Sequence, residues 1–191
     1  MESRQPLTSR LPHRAIASAC ALGLCLGLVG PAGAEEVNET IRTAGDIAQF
    51  AAPVAGIAIA LARHDGKGLG QLALASASTL ALVHVLKPVI DRERPNGGGR
   101  SFPSGHTAIA FAGAGFLHLR YGWAYGVPAY AVGAFVGFSR VHSDEHWTSD
   151  VVAAAAIGIA SNLVFTRRYR GVSVSPTAGA GQPGLSITVT W

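Results

Sequence analysis

Charge is scarce in this chain: Asp, Glu, Lys and Arg make up 14% of its 191 residues, while 49% are hydrophobic. An ordinary water-soluble domain carries about a quarter charged residues. Cysteine is nearly absent. The two that occur, Cys20 and Cys25, lie inside an N-terminal apolar stretch, and neither sits in a convincing lipoprotein cleavage pattern. A chain processed beyond that stretch has no thiol, hence no disulfide and no cysteine metal site. Long β-branched runs are also missing, whereas Gly and Ala abound, which favours close-packed helices over an extensive sheet. Concentrated positive charge is lacking too: the net charge is +4 and the basic residues are scattered, which excludes a nucleic-acid surface. The length suits one domain.

The N-terminus has the pattern of an export signal: Arg10 and Arg14, an apolar run over 15–29, Pro31, then Ala32-Gly33-Ala34. Cleavage is expected after Ala34; a retained segment would instead be a first membrane helix. Beyond a polar connector (EEVNETIRT) come five apolar segments, at 44–62, 69–86, 104–119, 123–141 and 148–165. Each is about 16 to 19 residues, roughly 24 to 29 Å of helix, enough to cross a bilayer core. Small-residue spacings such as Gly133-x3-Gly137 and Ala154-x3-Gly158 suit close helix contact in lipid. The expected fold is all-α, a membrane-embedded bundle of five helices after a signal peptide, or six if that segment is retained. With the mature start outside the cytoplasm, Arg63, Lys67, Arg120 and the Arg167-Arg168-Arg170 cluster fall inside. A soluble periplasmic helical domain is the alternative. The tail, 171–191, is rich in Gly, Pro, Ser and Thr and ends in an alternating stretch (LSITVTW) able to pair as an edge strand.

Against this apolar background three short segments stand out: residues 87–95 (KPVIDRERP), 103–106 (PSGH) and 139–150 (SRVHSDEHWTSD). Lys87, Arg94 and Arg140 are cations suited to the oxygens of a phosphate ester, the guanidinium groups as bidentate forks and the ammonium as a point charge. Pro103-Ser104-Gly105-His106 opens an apolar run; Ser104 is a good N-cap, and a helix starting there would aim backbone N–H groups at an anion. His146 and Asp150 are four residues apart, so a carboxylate can hold one imidazole nitrogen as a donor while the other attacks. Singly, each has a plainer explanation: a snorkelling lysine, a loop Arg-Pro, a helix cap, a surface i,i+4 pair. Together, in this order, they supply clamp, anion nest, acid and nucleophile.

Written as K-x6-R-P, P-S-G-H and S-R-x5-H-x3-D, the three segments resemble the complete signature of the type 2 phosphatidic acid phosphatase superfamily, over residues 84–152, about a third of the chain. The resemblance implies metal-independent phosphate hydrolysis through a phosphohistidine, with no cofactor. Carried onto this chain, it makes His146 the nucleophile oriented by Asp150, and His106 the group that protonates the leaving alkoxide and then deprotonates water. Lys87, Arg94, Ser104, Gly105 and Arg140 would bind phosphate. The implied organisation is a signal peptide at 1–34, the phosphatase domain at 35–170 and the tail. A site at the outer face of the cytoplasmic membrane implies a lipid phosphate substrate: phosphatidate, phosphatidylglycerol phosphate, undecaprenyl diphosphate or a lipid A phosphate. Alternatives are a periplasmic non-specific acid phosphatase, a vanadate-dependent haloperoxidase, whose scaffold is larger, and a membrane protein that only binds phosphate.

The remaining polar residues read as supporting structure. His84 fits a packed or interfacial helix position, and His142, Asp144 and Glu145 shape or solvate the loop before the nucleophile. Asp91, Arg92, Glu93 and Arg100 flank a flexible Asn96-Gly97-Gly98-Gly99 loop able to close over a headgroup, and His118 with Arg120 reads as an inner-face anchor. Mass spectrometry of protein purified from membranes is expected to find Glu35 at the N-terminus; an intact chain from Met1 would instead favour six membrane helices.

Overall fold

The computed structural model describes residues 31–169, 172–179 and 182–189. The chain divides into two compact units, Met1–Val37 and Asn38–Trp191. Of the first, only the opening turns of a helix are described, so the apolar stretch of the expected signal peptide lies outside the described residues; the expected cleavage point falls in that helix. The described elements are α1 (Pro31–Ala48), α2 (Ala51–Ala62), α3 (Gly66–Ile90), α4 (Gly105–Tyr121), α5 (Trp123–His142), α6 (Thr148–Phe165), β1 (Val172–Gly179) and β2 (Gln182–Val189).

The body of the protein is all-α, as expected, with its boundaries set by local chemistry. The apolar segment 44–62 is broken into α1 and α2 at Gln49-Phe50. Pro53 is the cause: it has no N–H to give the Gln49 carbonyl, and its ring disfavours a continuous helix four residues back. The helix restarts with Pro53 in its first turn, where the missing donor costs nothing. Asp65 caps α3 by accepting the Gly68 N–H at 2.9 Å. Ser104 caps α4, accepting from the Thr107 N–H at 3.5 Å and the Thr107 hydroxyl at 3.1 Å. In the tail, β1 and β2 form an antiparallel hairpin running from Val172 opposite Val189 to Gly179 opposite Gln182. The alternating stretch near the C-terminus therefore pairs, its partner being the segment just before it.

Packing is inverted relative to a protein folded in water. The interior is rich in small residues, with Ala108, Ala110, Ala112 and Ala114 of α4 fully buried around a few larger side chains such as Phe116 and Val136. Meanwhile Leu74, Val85, Val89, Val127, Phe138, Val152, Leu163 and Val164 are exposed. Helix α4 is the axis, packed against α2, α3, α5 and α6. Gly158 of α6 shows how closely the helices meet: a Cβ there would lie 2.6 Å from the Ala108 carbonyl oxygen of α4. Small residues inside and large apolar ones outside are what lipid selects, since tails solvate Leu and Val and attraction between helices comes from close packing. Three stretches are long and apolar enough to cross a membrane: Glu35–Ala62, Gly66–Ile90 and Thr148–Phe165. Helices α4 and α5, counted with them in the sequence, are not in that set. The 17-residue α4 spends its surface on its neighbours, and α5 interrupts its apolar run with Pro128 and Arg140.

At the end of the bundle holding the α2–α3 turn, Arg120, expected as an inner-face anchor, is buried. Its Nη2 pairs with Asp65 Oδ1, its Nε donates to Asp65 Oδ2 at 2.7 Å, and Nη1 reaches the Arg167 carbonyl at 2.7 Å. The Tyr121 hydroxyl adds a 2.9 Å bond to Asp65. Burial pushes the Asp65 carboxyl up, but Arg120, the Gly68 N–H and Tyr121 outweigh it and hold the group below its usual range. Beside this pair Arg63 lies over the rings of Tyr121, Tyr125 and Tyr169, 5.4 to 5.8 Å from their centroids. Truncating one partner strands the other's charge in the interior. Asp65→Ala is therefore expected to lower stability by about 3–5 kcal/mol in detergent-micelle denaturation, and replacing both residues by apolar ones of similar volume to cost less. Equal losses for the single and the paired replacements would show that packing, not charge, holds this end.

Candidate active site

At the opposite end of the bundle the three motifs converge. Asp150, at the start of α6, is fully buried and its carboxylate is saturated: Oδ2 accepts the Trp147 N–H at 3.0 Å and the Ser101 hydroxyl, and Oδ1 pairs with Arg92 Nη1 at 3.1 Å. An acidic group here also suits the positive end of the helix. His146 lies just before the helix and is 3% exposed. Its Nδ1 is 3.7 Å from Asp150 Oδ2, too far for a hydrogen bond, but 3.3 Å from Ser101 Oγ. Ser101 spends its single proton on Asp150, so its oxygen is an acceptor and His146 Nδ1 carries the proton toward it. Asp150 thus orients His146 through a serine, not by the direct one-turn contact read from the spacing.

Burial pushes the His146 pKa down, the charges of Arg94 and Lys87 push it further, and Asp150 only partly opposes them, leaving it at about 4 against an ordinary 6.5. At neutral pH the ring is uncharged, with Nδ1–H bonded and the Nε2 lone pair unprotonated.

The expected phosphate-binding residues surround this ring. Lys87, near the end of α3, reaches the Arg100 carbonyl at 3.2 Å. Arg94 pairs through Nη1 with Glu145, and its Nε is buried without a hydrogen-bond partner among the described residues, a donor aimed at no protein group. Ser104 and Gly105 form the N-terminus of α4 as expected. Arg140, 2% exposed at the end of α5, donates from Nη1 to Asp46 Oδ1 at 2.6 Å and from Nη2 to the Arg42 carbonyl. His106 Nε2 is 3.1 Å from the same Asp46 oxygen. Among the described residues no three His, Cys, Asp or Glu side chains are grouped to hold a metal ion.

Four residues of this constellation escaped the sequence reading: Asp46, Ser101, Arg92 as a partner of Asp150, and Glu145 as a partner of Arg94. Asp46 and Ser101 sit in ordinary local sequence and acquire their roles only across the fold. The glycine-bearing loop is tied down: Arg94 O accepts from Gly97 at 3.0 Å, Asn96 donates to the Asp144 carbonyl at 3.1 Å, and Asn96 Oδ1 accepts from Gly98 at 3.0 Å. Arg92 lies 5.0 Å over the Trp147 ring, whose Nε1 donates to the Glu93 carbonyl at 2.9 Å. His84 is exposed and bonds only its own helix, at Leu80 O.

Helices with a lipid-facing exterior around a cationic, histidine-bearing pocket describe a membrane-embedded hydrolase of phosphate esters. The sequence profile of the PAP2 superfamily matches residues 68–172, more than half of the chain. The chain belongs to that superfamily. It is 31% identical over 166 residues to a lipid A 4'-phosphatase of Helicobacter pylori, covering 78% of this chain and 83% of that protein. A lipid A 1-phosphatase of Porphyromonas gingivalis is 46% identical over 99 residues, 49% of this chain but only 22% of that protein's length. Two crystal structures share the fold. LpxE of Aquifex aeolicus superposes with a TM-score of 0.58 at 22% identity, over 67% of this chain and 84% of that one. A transmembrane PAP2 type phosphatidylglycerolphosphate phosphatase of Bacillus subtilis gives 0.54 at 23% identity, over 81% and 86%.

The electrostatics of His146 make a direct prediction. In ¹⁵N NMR of imidazole-labelled protein in detergent, with its signal assigned by His146→Ala, the ring is expected to remain the neutral Nδ1–H tautomer from pH 8 to about 5.5 and to gain its proton near 4. A midpoint at or above the ordinary 6.5 would mean that Asp150 outweighs burial and the two cations.

Proposed function

We propose that this protein removes phosphate from a membrane lipid, without a metal ion, through a phosphohistidine on His146. The observation that carries the reading is the setting of that imidazole, buried with Nδ1 3.3 Å from the Ser101 hydroxyl that donates to Asp150. Its proton is held on Nδ1 by Ser101 and Asp150, and burial with two nearby cations keeps Nε2 free of a proton. Nε2 attacks phosphorus in line and the ester P–O bond breaks. His106 gives its proton to the departing oxygen, then takes one from the water that cleaves the P–N bond, releasing inorganic phosphate and restoring both rings. Lys87, Arg94, Arg140 and the N–H groups at the start of α4 neutralise the equatorial oxygens, the part of phosphoryl transfer in which fixed charge contributes most.

The substrate class rests on location and relatives. A cation pocket at the end of a lipid-facing bundle is reached from the bilayer by a lipid headgroup, and the two relatives named above act on lipid A. A lipid A phosphate is accordingly the favoured substrate among the four lipids considered. Charge supports an orientation: Arg63, Lys67, Arg167 and Arg168 gather at the end opposite the motifs, which under the positive-inside rule favours a pocket facing away from the cytoplasm.

Phosphate release from purified lipid A, phosphatidate, phosphatidylglycerol phosphate and undecaprenyl diphosphate in EDTA tests the reading, with lipid A expected to be turned over best. Activity that vanishes in EDTA and returns with magnesium would refute it. His146→Ala is expected to abolish both turnover and acid-trapped phosphoenzyme. His106→Ala is expected to lose roughly 10²–10⁴-fold on the lipid but much less on p-nitrophenyl phosphate, whose leaving group needs little protonation. Asp150→Asn should fall between them, because the ring loses its orientation but not its nucleophilic atom.

A further inference from the structure

Helix α1 lies outside the segment that matches the superfamily profile, yet it sends a carboxylate into the site. We propose that Asp46 is a positioning residue that ties the leaving-group acid, His106, to the phosphate clamp, Arg140; the inference rests on the acid role given to His106 above. One oxygen, Asp46 Oδ1, is shared by two partners from two different helices: Arg140 Nη1 of α5 at 2.6 Å and His106 Nε2 of α4 at 3.1 Å. No other described side chain is bonded to both.

The contact is built into the backbone. Gly45 is the one fully buried residue of α1 among those whose burial is described. A Cβ at Gly45 would stand 1.9 Å from Ser139 Oγ and 2.7 Å from Arg140 Nη2. Only a residue without a side chain lets α1 lie against α5 here, and that approach delivers Asp46 to the guanidinium and the Arg42 carbonyl to its Nη2. Arg140 Nε is taken by Ser139 Oγ at 3.2 Å. Three of its five N–H groups are thereby spent on holding the guanidinium still, and each Nη retains a second proton for a phosphate oxygen.

For His106 the carboxylate does two things. It accepts the Nε2 proton, so the proton delivered to the leaving oxygen sits on Nδ1. It also supplies a negative partner to an imidazole that must be cationic before it can act as an acid. The charged groups around His106 are Arg140, Asp46, Glu145 and Arg94. Burial pushes the His106 pKa below its usual value and Arg140 and Arg94 add to that push, while Asp46 and Glu145 oppose it; of the four, Asp46 is the one bonded to the ring. Without Asp46 the clamp would tend to discharge the acid that it works beside.

Asp46→Asn and Asp46→Glu test this in purified protein with two aryl esters, phenyl phosphate with its poor leaving group and p-nitrophenyl phosphate with its good one. Asp46→Asn is expected to lower kcat on phenyl phosphate by roughly 10–100-fold and on p-nitrophenyl phosphate by less than about threefold, with KM little changed. The alkaline limb of its pH profile should move to lower pH, and Asp46→Glu should recover part of the loss. In a His106→Ala background, adding Asp46→Asn should change nothing further, the non-additivity expected of residues acting as one unit. Equal losses on both esters with an unchanged pH profile would reduce Asp46 to a fold contact. A lower KM, or tighter binding of inorganic phosphate, would show its carboxylate competing with substrate. Either result overturns the proposal. If His106→Ala itself fails to discriminate between the esters, the acid role falls and Asp46 with it; if His106→Ala discriminates and Asp46→Asn does not, the Asp46 inference alone fails.

Discussion

A carboxylate fully removed from solvent must be satisfied on both oxygens or it does not stay charged, and Asp150 meets that condition with groups from three stretches of chain. Trp147 gives it a backbone N–H from its own helix start, Ser101 a hydroxyl from the loop before α4, and Arg92 a guanidinium from the loop after α3. The same bonds that satisfy the carboxylate draw together the segments that carry the cations, the helix N-terminus and His146. Remove that anchor and the site loses more than one ligand: the tautomer of His146 is relayed through Ser101, and the loop bearing Arg94 is held in part through Arg92.

The bilayer explains why such a polar knot can sit at the end of so apolar a body. With lipid as solvent, helices gain little by hiding leucine, so the interior is enriched in alanine and glycine and the backbones come close. Helix α4, buried along most of its length, is fixed by four neighbours, and its N-terminus is placed with the rigidity of the whole bundle. Phosphate chemistry benefits from that rigidity, because donors that need no reorganisation stabilise developing charge most. The opposite end is pinned by a buried charge pair, Arg120 with Asp65, so the helices are tied at both ends and pack on small residues between.

Within the pocket, two acidic residues face two clamp arginines: Glu145 on Arg94 and Asp46 on Arg140. Crowded cations repel, and interleaved carboxylates make their assembly tolerable before any phosphate arrives. Lys87 is the clamp residue bonded to a carbonyl instead of a carboxylate. The cations of the pocket are therefore interleaved with carboxylates, which limits its excess of positive charge.

Local chemistry, legible along the chain, determined much of this. The capping role of Ser104, the long apolar helices and the small-residue contact faces follow from spacing and residue type, because helix periodicity and capping are properties of a few consecutive residues; the grouping of Lys87, Arg94, Arg140, His106, His146 and Asp150 was implied by the resemblance of the three motifs to the superfamily signature. The break at Gln49-Phe50 was missed, because hydropathy runs 44–62 together as one segment, although its cause, Pro53, stands in the sequence. Tertiary structure decided the rest. Ser101 comes between His146 and Asp150 because the loop between the first two motifs packs against the third, and Arg120, read as an inner-face anchor, is a buried partner because Asp65 lies beside it. Asp46 reaches His106 and Arg140 because Gly45 lets one helix lie against another. Such contacts join residues some fifty to a hundred positions apart. Nothing local distinguishes an Asp or a Ser that will make one, since which helices meet, and at what height, is set by the packing of the whole bundle.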